Sequence, residues 1–87
     1  MRTVLIIGGD GFIGSHLRDH YLNQPDTKVI SVDKDQIRTP TPVMDNFRFD
    51  KYDLQYFFDS LVTTVIKDKP DIVYNCLAVA NTEKKIF

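Results

Sequence analysis

A short apolar segment, a glycine cluster and a helical pattern follow one another at the start of the chain. Residues 4–7 are Val-Leu-Ile-Ile, which is typical of a strand buried on both faces of a parallel sheet. Gly8, Gly11 and Gly14 come next, and apolar residues then recur at every fourth position from 13 to 21. Because a strand that turns directly into a helix is the building unit of α/β sheets, this segment constrains the fold class more than any other.

The rest of the chain continues this alternation of strands and helices. Further strands are predicted over residues 28–32, 47–49 and 72–77. Pro40 and Pro42 argue against a long helix over residues 34–46. An apolar stripe at helical spacing covers residues 54–66, with Asp53 as its N-cap, and we expect this stripe to lie in the core. The pattern predicts a Rossmann-like α/β fold, with about four parallel strands in the order 3-2-1-4 and flanking helices.

Composition excludes several classes of function. Eleven Lys and Arg residues stand against twelve Asp and Glu, so we expect neither a nucleic-acid partner nor a membrane partner. The single cysteine, Cys76, excludes an internal disulfide, and we expect it to be a small buried side chain. His16 and His20 are four residues apart, but no carboxylate motif completes a metal site, so no metal is predicted. No apolar run reaches the length of a signal-peptide core or a membrane span, so a cytoplasmic location is predicted.

The glycines have the positions that a phosphate-binding turn requires. Gly8 allows a tight turn off the strand, Gly11 lets the backbone approach a pyrophosphate, and Gly14 lets the helix pack closely against the sheet. Backbone N–H groups of Phe12 and Ile13, at the start of the helix, are the expected phosphate donors. The alternative is a glycine-rich turn that binds no ligand.

Asp33 ends the second predicted strand, some twenty residues after the glycines. An acid at this place accepts hydrogen bonds from the adenosine ribose hydroxyls of a dinucleotide and repels a 2′-phosphate. Asp33 therefore favours NAD over NADP, and Lys34 and Arg38 are close enough in sequence to weaken that preference. The alternative is a solvated acid at the end of a strand.

Residues 6–17, Ile-Ile-Gly-Gly-Asp-Gly-Phe-Ile-Gly-Ser-His-Leu, resemble the opening of the extended short-chain dehydrogenase/reductases. These are NAD(P)-dependent nucleotide-sugar epimerases and dehydratases, such as those of the UDP-glucose 4-epimerase type. The similarity continues over nearly the whole chain. It implies an NAD-dependent oxidoreductase whose complete form acts on a sugar nucleotide.

The resemblance also assigns residues outside the glycine turn. Asp53 and Leu54 are similar to a pair that contacts the adenine, although they are also the predicted helix cap and a core residue. The small-residue turn Ala78, Val79 and Ala80 matches the turn that lies against the nicotinamide half of the cofactor.

Three features depart from the family pattern. Asp10 stands where a small or neutral residue is usual, and we expect its carboxylate to point outward, away from the pyrophosphate. Asn75 stands where the family usually has His. The Tyr-x-x-x-Lys pair with which the family moves the substrate proton does not occur in these residues, so no catalytic residue is predicted.

We therefore expect residues 1–87 to be one incomplete, N-terminal dinucleotide-binding domain, a truncated portion of about the first quarter to third of a family member, without the substrate domain. Its expected role is to hold NAD, while catalysis belongs to a full-length protein. The alternative is a stand-alone, non-catalytic nucleotide-binding module that forms homo-oligomers through exposed sheet edges. A third possibility is a fragment without independent function.

Overall fold

The computed structural model describes residues 1–39 and 44–77. Its elements, in chain order, are β1 (Arg2–Ile7), α1 (Phe12–Leu22), β2 (Thr27–Asp33), β3 (Phe47–Lys51), α2 (Phe58–Asp68) and β4 (Ile72–Asn75). The four strands form one parallel sheet in the order β3-β2-β1-β4. The predicted Rossmann-like α/β fold and its strand order are confirmed.

Strand β1 lies inside the sheet, which explains its continuous apolar sequence. It pairs with β2 from Arg2 to Ile7 on one side and with β4 from Val4 to Ile7 on the other. Val4, Leu5 and Ile6 have no exposed surface. A strand paired on both edges and covered on both faces excludes water completely, and β-branched and Leu side chains fill that environment well.

The two faces of the sheet carry separate apolar clusters. Both clusters are built from alternate residues of β1 and β2, because successive side chains of a strand point to opposite faces. The face covered by α1 holds Val4, Ile6, Tyr21 and Val29. The opposite face, on the side of α2, holds Leu5, Ile7, Ile30, Val32 and Leu61.

The predicted start of α2 is wrong by four residues. The helix begins at Phe58 with Phe57 as N-cap, rather than at Leu54 with Asp53 as N-cap. Asp53 instead organises a turn: its Oδ1 accepts the Gln55 N–H at 2.9 Å, and its carbonyl oxygen accepts the N–H groups of Tyr56 and Phe57. An Asp side chain that bonds the backbone two residues ahead forms an Asx turn, which competes with helix formation.

The expectation that the whole 54–66 stripe lies in the core is also wrong. Leu61 is buried and Leu54 packs against its cluster. Phe58 and Ile66, in contrast, are 60% and 67% exposed. Within the helix, the buried residues are Leu61 and Thr64, so only Leu61 of the apolar stripe on α2 is buried among the described residues.

Strand β4 is shorter than the predicted 72–77, since it ends at Asn75. The Cys76 N–H still donates to the Ile7 carbonyl oxygen at 2.7 Å, so the chain follows β1 slightly further. Cys76 is half-buried rather than fully buried. In the part of the chain that the structure describes, no helix is long and apolar enough to cross a membrane.

Candidate functional site

The turn between β1 and α1 lies at the carboxyl ends of the strands. Gly8 has φ +79°, a conformation that side chains rarely adopt, and an added Cβ would lie 2.9 Å from backbone atoms of Cys76 and Leu77. The N–H groups of Gly8 and Gly9 both donate to the Val32 carbonyl oxygen. The turn is therefore held between the ends of β2 and β4, and only glycine fits at its first position.

Gly14, in the first turn of α1, packs directly against this loop. A Cβ at Gly14 would overlap the Gly8 carbonyl oxygen and lie 2.8 Å from the Gly9 Cα atom. Both neighbours are backbone atoms, which cannot rotate away. The absence of a side chain at Gly14 is what allows the start of the helix to lie so close to the turn.

Gly11 differs from Gly8 and Gly14, because its neighbours among residues 1–39 and 44–77 do not require a glycine there. It is the N-cap of α1, with φ −74° and ψ 177°, an extended conformation open to any residue. Among the described residues, an added Cβ would meet the Gly8 carbonyl oxygen alone, at an ordinary contact distance of 3.5 Å. Neither backbone strain nor packing among the described residues explains this glycine.

The N-terminus of α1 has the electrostatics of an anion site. Its N-cap makes no side-chain hydrogen bond, and no acid stands in the first turn. The first N–H groups of a helix have no partner within the helix, and the helix dipole adds positive potential at that end. Phe12 and Ile13, whose N–H groups are the predicted phosphate donors, are exposed by 66% and 64%.

Asp33 lies beside this turn, at the end of β2. Its Oδ2 accepts the Asp10 N–H at 2.9 Å, and its Oδ1 accepts the Lys34 N–H at 2.7 Å. A carboxylate has about four lone-pair positions, so roughly half of its accepting capacity is still available to outside donors. The side chain is half-buried, while Lys34 and Arg38 beyond it are exposed.

The expectation that Asp10 points outward is wrong. The residue is only 3% exposed, and its carboxylate turns to the segment after β2, where it accepts the N–H groups of Ile37 and Arg38 and the Thr39 hydroxyl. Burial raises the pKa of Asp10, but these hydrogen bonds together outweigh it, so the pKa lies below its usual value of 3.8.

The remaining predicted site residues are more dispersed. Asp53 and Leu54 follow β3, where Asp53 holds its own turn and Leu54 contacts the apolar cluster around Leu5. Asn75 ends β4, and its Oδ1 accepts the Leu77 N–H at 3.2 Å. Ala78, Val79 and Ala80 lie outside the described residues.

The structure adds residues that sequence reasoning missed. Thr39 and Arg18 are both buried next to Asp10, and the Arg18 guanidinium donates to the Thr39 hydroxyl at 2.9 Å. The only sequence signal for this cluster was the unusual acid at Asp10 itself. Within residues 1–39 and 44–77, no group of three His, Cys, Asp or Glu side chains could hold a metal ion.

Comparison with known proteins agrees with this geometry. The sequence model of the NAD dependent epimerase/dehydratase family matches residues 4–86. The structure of the PbgP3 protein from Burkholderia pseudomallei superposes with a TM-score of 0.77 at 29% identity, over 91% of this chain and 23% of that protein. No curated protein matches.

Two further structures share the fold and were solved with NAD. The dTDP-glucose 4,6-dehydratase of Bacillus anthracis str. Ames has a TM-score of 0.76 at 22% identity, over 92% of this chain and 28% of that one. The UDP-glucuronic acid 4-epimerase of Bacillus cereus, in complex with UDP-glucuronic acid and NAD, has a TM-score of 0.68 at 26% identity, over 88% and 26%. The chain thus spans about a quarter of the length of these proteins. From its glycine turn, its sheet order and the match over residues 4–86, the chain belongs to the NAD dependent epimerase/dehydratase family.

Proposed function

We propose that the chain binds NAD at the β1–α1 turn and forms the cofactor-holding part of an epimerase or dehydratase. The observation that carries this proposal is Gly11. None of the described residues prevents a side chain at this position, at the uncapped end of α1, and an approaching ligand would supply the missing reason for a glycine. NAD is the cofactor of the family.

The residues present fit a dinucleotide. The pyrophosphate would lie at the N-terminus of α1, where the N–H groups of Phe12 and Ile13 have no partner within the helix. Asp33, with accepting capacity left on both oxygens, would bind the adenosine ribose hydroxyls. Asp53 and Leu54 are proposed for the adenine.

The preference for NAD over NADP rests on the charge of Asp33. A carboxylate already bonded to two backbone N–H groups is held in place and would face a 2′-phosphate directly. Lys34 and Arg38 are exposed beside it and reduce the repulsion without replacing the ribose acceptor. Ala78, Val79 and Ala80 are proposed to lie against the nicotinamide half.

The chemistry of the complete protein would be hydride transfer to and from a nucleotide sugar, for which bound NAD supplies the acceptor and donor. In support, the B. cereus epimerase was solved with UDP-glucuronic acid as well as NAD. We propose that residues 1–87 contribute cofactor binding, since they contain no Tyr-x-x-x-Lys pair, and that the substrate residues belong to a larger, cytoplasmic protein.

Calorimetric titration of the 87-residue chain with NAD, and then with NADP, tests this function. We expect micromolar affinity for NAD and weaker binding of NADP. Asp33→Asn should weaken NAD binding by about tenfold or more, the usual effect of losing a charged hydrogen-bond acceptor. Asp45→Asn is the matched control, because Asp45 is exposed and lies before β3, and it should bind as the unchanged chain does.

Circular dichroism of each variant verifies that it is folded. If the folded chain does not bind NAD, the proposed function is wrong. If Asp33→Asn and Asp45→Asn have the same affinity for NAD, the ribose-binding role of Asp33 is wrong.

A second candidate function is self-association. Among residues 1–39 and 44–77, strand β4 forms one edge of the sheet, and Val73 in this strand and Leu77 just after it are exposed. An unpaired strand edge next to apolar side chains invites another chain. Light scattering after size-exclusion chromatography tests this: a concentration-dependent dimer that Val73→Lys abolishes would support association, and a monomer at all concentrations would refute it.

A further inference from the structure

A buried cluster next to the β1–α1 turn has no part in the function proposed above. Asp10 and Arg18 are 3% and 5% exposed, and Thr39 between them is 6% exposed. The Thr39 hydroxyl donates to Asp10 Oδ1 at 2.7 Å and accepts Arg18 Nη1 at 2.9 Å. A single hydroxyl thus connects a buried carboxylate to a buried guanidinium.

The carboxylate of Asp10 also holds a stretch of backbone. Its Oδ2 accepts the Ile37 N–H at 2.6 Å, and its Oδ1 accepts the Arg38 N–H at 2.9 Å. Arg18 Nη2 reaches the Arg38 carbonyl oxygen at 3.5 Å from the other side. Residues 37–39 are therefore tied to the glycine turn through Asp10 and to α1 through Arg18.

Asp10 is also hydrogen-bonded to Asp33, the acid proposed to bind the ribose. The backbone N–H of Asp10 donates to Asp33 Oδ2 at 2.9 Å. Asp10 therefore links Asp33, the glycine turn and residues 37–39. Because its own oxygens are occupied by three donors and shielded from solvent, Asp10 is not available as a direct ligand for a phosphate or a cation.

We propose that Asp10 is a positioning residue for the adenosine half of the cofactor, acting through Asp33. It fixes the turn so that its N–H orients the Asp33 carboxylate, and it holds residues 37–39 beside that carboxylate. This inference rests on the proposed function, since it concerns how the NAD site is kept in shape. It goes beyond that function because it assigns a role to an acid whose carboxylate is already occupied by donors of this chain.

A double-mutant cycle on NAD affinity tests the proposal. Asp10→Asn keeps the shape of the side chain but places an amide where the donors of residues 37–39 converge. We expect about fivefold weaker NAD binding for Asp10→Asn, about tenfold for Asp33→Asn, and about tenfold for the double variant, because residues that act through one another are not additive. Asp10→Asn combined with Asp45→Asn is the control pair, and the fold-changes in NAD affinity of its two substitutions should multiply.

The outcomes separate the two hypotheses. A loss of about fiftyfold in the Asp10/Asp33 double variant, or unchanged affinity in folded Asp10→Asn, would overturn the positioning role and leave the NAD site itself intact. Absence of NAD binding to the folded, unchanged chain would overturn the proposed function and this role with it.

Thr39 supplies a second test if Asp10→Asn does not fold. Thr39→Val removes the hydroxyl between Asp10 and Arg18 while keeping the shape, and Thr39→Ser keeps the hydroxyl. We expect Thr39→Val to weaken NAD binding about threefold or more. Thr39→Ser should bind NAD with an affinity within about twofold of that of the unchanged chain. Equal affinities for the two variants would contradict the inference.

Discussion

Replacing Gly14 by Ala separates the two reasons for which glycine occurs in the β1–α1 turn. In an exposed helix, Gly→Ala stabilises by about 1 kcal/mol, because Ala has the higher helix propensity. At Gly14 the added methyl group would overlap the Gly8 carbonyl oxygen and approach the Gly9 Cα atom to 2.8 Å, inside the 3.0 Å that real Cβ contacts essentially never cross. The helix has to move away from the turn.

The size of the effect follows from these two opposing contributions. Overpacking of this kind costs about 1–3 kcal/mol, and the upper end applies here because both neighbours are backbone atoms. After the gain in helix propensity, we expect a net loss of about 2 kcal/mol. For a domain of this size, that corresponds to a decrease in melting temperature of roughly 8–16 °C.

Thermal and urea unfolding followed by circular dichroism measure this change, and Gly11→Ala is its matched control. Among the described residues, the same substitution three residues earlier meets one atom, at 3.5 Å, so its stability should change by less than about 1 kcal/mol. Its affinity for NAD should nevertheless be lost. The reasoning is refuted if Gly14→Ala is as stable as the unchanged chain, or if both variants lose equal stability.

Three further predictions concern stability and reactivity. The pKa of Asp10 is below 3.8 in the folded chain, so the contribution of this carboxylate to stability is complete above the unfolded pKa and is lost as the pH falls through the folded pKa. Acid unfolding should therefore become steeper below about pH 4, and this effect should be smaller in Asp10→Asn. Leu61→Ala should lower the free energy of unfolding in urea by about 2–4 kcal/mol, and Ile66→Ala by less than about 0.5 kcal/mol, because Leu61 is 7% exposed and Ile66 is 67% exposed. Equal losses of stability would contradict the described core. Burial raises the pKa of the Cys76 thiol above 9.0. Iodoacetamide should therefore modify this thiol at pH 7.5 more slowly in the folded chain than in the urea-unfolded chain, and equal rates would argue against that burial.

The arrangement of the sheet could be predicted because its signals are local and redundant. The uninterrupted apolar run of β1 indicates burial on both faces, and a strand of that kind belongs inside the sheet. The glycine turn and the helix behind it require a crossover, and right-handed crossovers leave few possible strand orders. Each local preference agrees with the final fold, which is why the order β3-β2-β1-β4 was predicted correctly.

The start of α2 could not be predicted from the same kind of signal. Leu54 fits the helical spacing of the stripe, and Asp before an apolar run is a common N-cap. An Asx turn uses the same residue type, however, and only the bonds from Asp53 to Gln55 and Phe57 show which of the two forms. Likewise, spacing identifies the apolar face of α2 but contains no information about which layer covers it, and most of that face is exposed in the described residues.

Asp10 shows the same limit at the candidate site itself. Its charge next to a phosphate-binding turn suggested repulsion, and pointing outward was the simplest way to avoid it. The partners that resolve the problem lie 27 to 29 residues further along the chain, in a segment without periodicity. The Asp10 carboxylate accepts the N–H groups of Ile37 and Arg38 and the Thr39 hydroxyl, and the buried Arg18 donates to that hydroxyl. These donors compensate the negative charge of the carboxylate on the side of residues 37–39. An acid can thus stand in the glycine turn that we propose for the pyrophosphate, because the fold satisfies its charge, and its N–H donates to Asp33, the acid that binds the ribose in the proposed site.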